Sequence, residues 1–164
     1  MPDAFRRQVS VGRAILSGWL LCGVLDISAA FIQSWIQAGT APAAVLRGIA
    51  YALWGRSAID GGAGFAAGGL AMHFLVALTW TIVFYAVSRR LAVLRTAPLL
   101  IVGPLYGVVV FCAMNYVTLP ALSWLRSLYL HTPPRWPGPM RWPQLAIHLV
   151  CVGLPIAWGV RRAR

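Results

Sequence analysis

AILSGWLLCGVLDISAAFIQSWI, residues 14–36, decides the fold, because a run this long and this apolar matches a bilayer better than a soluble core. About 20 residues, rising about 1.5 Å each, cross the hydrocarbon layer. Only Asp26 and Gln33 interrupt the run, and Arg6, Arg7 and Arg13 precede it. It reads as a first transmembrane span. A cleavable leader is the competing reading, since the small residues Ser28, Ala29 and Ala30 follow an apolar stretch ending at Leu25. The apolar character continues past Asp26 to Trp35, which favours a retained span.

Three further runs of the same kind follow at about 64–87, 97–119 and 142–160. The short basic stretch holding Arg89, Arg90 and Arg95 makes spans two and three an antiparallel hairpin. Between spans one and two, residues 42–57 place Val45, Leu46, Ile49, Leu53 and Trp54 on one helical face, with proline in the first turn. That pattern predicts a short interfacial helix. PALSWLRSLYLHTPPRWPGPMR, 120–141, is rich in proline and aromatics and is expected to be the longest extramembrane loop. Its aromatics Trp124, Tyr129 and Trp136, with Trp142, suit a headgroup belt. The expected fold is all-α: one membrane domain over 1–164, a four-helix bundle with an interfacial helix between spans one and two.

Composition agrees. The chain is 60% hydrophobic and 10% charged, with mean hydropathy +0.74, where soluble domains average about a quarter charged. Fourteen arginines stand against Asp3, Asp26 and Asp60, giving a net charge of +11 without one lysine. Such a balance raises the question of nucleic acid, but the arginines sit at the ends of apolar runs, where they meet anionic headgroups, so no nucleic-acid partner is expected. The lipid bilayer is the expected partner, with a second copy or another membrane protein beside it. Arg6, Arg7, Arg13, Arg89, Arg90, Arg95, Arg161, Arg162 and Arg164 fall on one side. Arg47, Arg56, Arg126, Arg135 and Arg141 fall on the other, so both termini are expected to be cytoplasmic.

Small and polar residues recur at three- and four-residue spacing in every span, marking faces where membrane helices meet. They are Cys22, Asp26, Ala29, Ala30 and Gln33 on span one, and Gly62, Ala66, Gly69, His73, Ala77 and Thr81 on span two. Spans three and four contribute Gly103, Pro104, Gly107, Cys112, Asn115 and Thr118, and Gln144, His148, Cys151 and Pro155. Gly64-xxx-Gly68 and Gly103-xxx-Gly107 add close-approach motifs. Asp26 is the sharpest residue, because an aspartate at mid-span costs about 2.5–3.5 kcal/mol on insertion scales. It serves either as a proton- or cation-binding carboxylate or as a hydrogen-bonded lock between helices. Asp26, His73, Asn115 and His148 are the ligand- or ion-binding candidates and can line one outward-facing pocket, with Asn115 and His148 nearer the surface. Arg56 and Asp60, four apart, stand at the outer mouth of span two and pair on one helical turn.

No cofactor is expected. His73 and His148 are conceivable haem ligands in a four-helix bundle, but the more common role of such histidines is packing. Cys22, Cys112 and Cys151 lack the CxxC spacing of a zinc site, and Asp26 and Asp60 are too few for a dinuclear centre. No catalytic residue is identified: phosphate-loop, GxSxG and HExxH patterns are all missing, so catalysis is the least favoured class.

GVLDISAA (23–30), LWGRSAIDGG (53–62), GLAMHF (69–74), PLYGVVVFCAMNYVTLP (104–120) and HLVCVGLPIA (148–157) together resemble a family of small bacterial inner-membrane proteins with four spans. The resemblance implies a bacterial inner-membrane location and gives weight to those motifs, without implying an activity. Three functions stay open: a non-enzymatic membrane component acting as an assembly or regulatory partner, a small oligomeric ion-coupled transporter using Asp26, and a haem-binding redox protein using His73 and His148.

Overall fold

A computed structural model describes residues 10–134, 138 and 140–163. Four helices are long and apolar enough to cross a membrane: Val11–Ala38, Ala63–Arg90, Leu99–Leu130 and Trp142–Val160. The architecture is the helical membrane bundle expected, with no strand pairing into a sheet among the described residues. Arg6, Arg7, Arg135, Trp136 and Arg164 lie outside the described residues.

The first span begins on Ser10, whose side chain accepts from the Arg13 amide, and ends at Gly39, whose positive φ of 61° supplies a left-handed C-cap. A cap helix, Pro42–Trp54, follows with proline at its first turn. It ends at Trp54, three residues before the expected end, and after Gly55 a single turn Arg56–Asp60 leads into span two. The cap helix packs along span two and against the end of span three, burying Ala50 completely. Gly69 makes this possible, because a Cβ there would collide with the Leu46 carbonyl.

The expected loop over 120–141 is corrected in its first half. Span three runs straight through Pro120 to Leu130. Pro120 has no N–H for the preceding turn and its ring would crowd the carbonyl four residues back. The helix absorbs both defects with a π-helical segment, Met114–Thr118, just ahead of it. Span four repeats the device, with π-helical His148–Gly153 ahead of Pro155. Among the described residues between spans three and four, only 131–134, 138 and 140–141 are non-helical.

Span four is the hub. It packs against spans one and three, and 44% of its most apolar window is buried, against 22% and 17% for spans one and two. The crossings depend on glycine: a Cβ on Gly159 would fall 2.5 Å from Gly18 Cα, and one on Gly153 2.6 Å from the Gly107 nitrogen. Gly103 and Gly107 thus form the close-approach motif the sequence suggests. Gly64 does not, having nothing near it; the close contact of span two falls to Gly69 instead. Spans two and three are antiparallel neighbours in sequence, yet their backbones scarcely touch. Large side chains hold them apart, with Phe84 and Tyr106 edge to face at 4.7 Å and Trp80 Nε1 donating to Met114 Sδ at 3.3 Å. The lipid-facing flanks carry exposed apolar side chains such as Leu16, Leu75, Ile82, Leu105 and Val109.

Candidate functional site

Because spans two and three stand apart, the bundle encloses a cavity of about 800 Å³ lined by all four spans and the cap helix. Cys22, Trp80, Val110 and Val152 are its deepest residues, and Gln37, Met140 and Arg141 stand at its mouth on the cap-helix side. Beneath it, Thr81, Phe84 and Ile156 are fully buried and Tyr106 donates to the Trp80 carbonyl at 2.6 Å, forming a floor. The cavity therefore opens toward one end of the bundle. Its wall is mostly apolar, with Ile49, Met72, Val76, Met114, Leu122 and Ile147 prominent, which is the usual composition of a small-molecule site.

The structure brings Asp26, His73, Asn115 and His148 to this one lining, each from a different span. Counted by helical rise, all four stand about one to two turns above the floor. Asn115 is deeper than the sequence suggests, because the extension of span three to Leu130 puts it at mid-helix.

Asp26 and His73 face each other across spans one and two, with Nδ1 3.9 Å from the carboxyl Oδ2. Nε2 of His73 donates to the Gly23 carbonyl at 2.9 Å, which leaves Nδ1 turned to the aspartate. The reverse bond runs from Trp19 Nε1 to the Phe74 carbonyl at 2.7 Å. Gly23 leaves the notch that Phe74 fills, for a Cβ there would lie 2.5 Å from its ring. Phe74 in turn sits edge-on to both Trp19 and His73. The imidazole is thus held rigidly, while Asp26 has no hydrogen bond and no arginine partner among the described residues.

Asn115 and His148 both lie on the π-helical segments, where the widened turn redirects side chains and π-bulges frequently serve function. Asn115 Nδ2 donates to the Phe111 carbonyl at 2.9 Å, leaving its carbonyl oxygen available. His148 Nδ1 donates to the Gln144 carbonyl at 2.9 Å, and Phe111 stacks edge-on against the ring. Its Nε2 is left as an acceptor.

Haem does not suit this arrangement. The nitrogen of His73 with the better reach is already engaged with Gly23, and Nδ1 faces a carboxylate instead of open space. Among the described residues no three His, Cys, Asp or Glu side chains come together for a metal ion. Arg56 and Asp60 pair at 3.6 Å on the exposed turn before span two, and neither lines the cavity.

Sequence reasoning missed Arg126, which it assigned to a loop. The guanidinium is buried, donating to the Tyr51 carbonyl at 3.0 Å and to Ser123 Oγ at 3.2 Å while lying over the Tyr51 ring. It ties the extended end of span three to the cap helix and so fixes one wall of the mouth. Gly55, with φ 61°, admits it, since a Cβ there would meet Leu130 at 2.7 Å and Arg126 at 3.4 Å. No signal in residues 120–130 marks this role except the four-residue spacing of Leu122, Arg126 and Leu130. No protein-family model, curated protein or solved structure matches the chain.

Proposed function

We propose that this protein is a membrane carrier that binds a small organic cation with an apolar body inside the bundle. The single observation behind this reading is Asp26, a carboxyl within a spanning helix that lines an open cavity and has His73 Nδ1 at 3.9 Å but no hydrogen bond among the described residues. A carboxylate at such depth needs compensation, and with only the His73 ring near it at 3.9 Å it has room for an incoming positive charge or proton. Met72, Met114, Leu119 and Ile147 offer the apolar body flexible contacts, and Asn115, His148 and Gln144 supply acceptors around it. A role confined to assembly or regulation would have these polar groups pin helices together, as His73 does through Gly23, whereas Asp26 and His148 Nε2 line the cavity without a hydrogen bond among the described residues.

The arginine distribution supports termini in the cytoplasm, so that the mouth faces outward across a bacterial inner membrane. The closed floor makes this the outward-open form of a carrier, acting as a homo-oligomer if neighbouring copies brace its lipid-exposed flanks.

The test is calorimetric titration of tetraphenylphosphonium into detergent-purified protein. Saturable binding at one per chain is expected, with Asp26→Asn weakening it about tenfold or more while thermal stability is kept. Equal binding by Asp26→Asn, or none by the parent protein across a panel of organic cations, would return Asp26 to a structural role.

A further inference from the structure

At the opposite end of the bundle from the cavity mouth, Arg95, Arg161 and Arg162 converge on a second, shallower pocket of about 350 Å³. Thr96, Ala97, Leu99 and Trp158 complete its lining, and no acidic residue is among them. Of the chain's three aspartates, Asp26 and Asp60 belong to the other half of the bundle, and Asp3 lies outside the described residues. Three guanidinium groups therefore meet without a counter-ion from the described residues.

Two of them are held in place. Arg161 Nη2 donates to the Ala97 carbonyl, and the Nε of the same side chain is buried with no acceptor within the described residues. A buried donor of this kind is paired in stable structures, so an acceptor from outside the described residues is called for. The Arg162 guanidinium lies 4.4 Å over the Trp158 ring, which orients its fork and places an indole at the lipid boundary. The first turn of span three opens at Leu99 on the same pocket and adds the positive end of a long helix.

We infer that this pocket binds a phosphate group, supplied by the headgroup of an anionic lipid. Arginine forks match phosphate oxygens in two-pronged geometry, and basic pockets between spanning helices are where acidic headgroups lodge. The site is separate from the cavity and does not depend on what the cavity binds.

Native mass spectrometry of the full chain, titrated with dioctanoyl phosphatidylglycerol, dioctanoyl phosphatidylcholine or inorganic phosphate, tests it. One phosphatidylglycerol per chain is expected to bind at least about tenfold more tightly than phosphatidylcholine, whose headgroup carries its own cation. Arg95→Gln/Arg162→Gln should erase that preference, and both residues are exposed enough for the fold to survive. Arg89→Gln/Arg90→Gln removes the same charge from outside the pocket and should leave the preference intact. Displacement of the lipid by inorganic phosphate at equal concentration would support the phosphate site and assign it to free phosphate. Equal losses in the two double variants, or no loss in either, would overturn it by reducing the effect to net charge or to no site.

Discussion

Asp26 and Arg126 are both charged residues within spanning helices, and they behave in opposite ways. Asp26 is legible in sequence because a carboxyl in an apolar run has no local excuse, whereas Arg126 hides among prolines and aromatics that resemble a loop. Once folded, Arg126 is the satisfied one, bonded to Tyr51 and Ser123 and stacked on an aromatic ring. Hydrogen bonds to a charged donor contribute about 1.5–3 kcal/mol each when an unmet partner is left behind. Arg126→Met is accordingly expected to destabilise the protein by about 2 kcal/mol and to expose the cap helix to protease. Arg126→Lys should recover less than half of that, because an ammonium cannot reach carbonyl, hydroxyl and ring together. Denaturant unfolding with proteolysis of residues 40–62 measures both, and an Arg126→Met protein as stable and as resistant as the parent would remove the clasp. Arg56→Met breaks only an exposed pair and should change neither readout.

At the scale of the helix, the spans were readable from length and hydropathy, and the contacts between them were readable only in part. Three of four spans begin and end close to the apolar limits, yet the third runs on to Leu130 because proline is a helix stop only where the helix cannot widen ahead of it. Asn115 sits on that widened segment and lines the cavity, so the misread boundary and the depth of this residue have one cause. Glycine pairs show the same limit, for Gly64-xxx-Gly68 and Gly103-xxx-Gly107 are identical as patterns and only the second lies at a crossing. Gly153→Ala would press a methyl against the Gly103 carbonyl and the Gly107 amide, both rigid backbone. Overpacking of this kind costs about 1–3 kcal/mol, which should appear as a lowered melting temperature and loosened pairing of spans three and four. Gly64→Ala meets empty space and should be neutral or slightly stabilising in the same thermal scan.

Taken as one body, the molecule is a bundle whose two ends differ: a deep, mostly apolar cavity with one carboxylate opens at the cap-helix end, and arginines crowd the other. A negative charge inside a low-dielectric funnel concentrates cations in it, because field lines have few routes out. Gln33 lines that funnel about two turns above Asp26 on the same helix, so a thiol placed there reports the potential without touching the carboxyl. In a background with Cys22, Cys112 and Cys151 changed to alanine, Gln33→Cys should react about tenfold faster with a cationic methanethiosulfonate than with an anionic one of similar size. Asp26→Asn should collapse that ratio toward one, and raised salt should shrink it much less than at an exposed site, since screening is weak inside the bundle. Applied to oriented vesicles, the reagents should reach the thiol only from the side of the cap helix, because Phe84, Tyr106 and Ile156 seal the other. Labelling from the arginine-rich side at a comparable rate in the absence of ligand would mean that the floor opens spontaneously, and the one-mouthed cavity would have to be abandoned as the resting form.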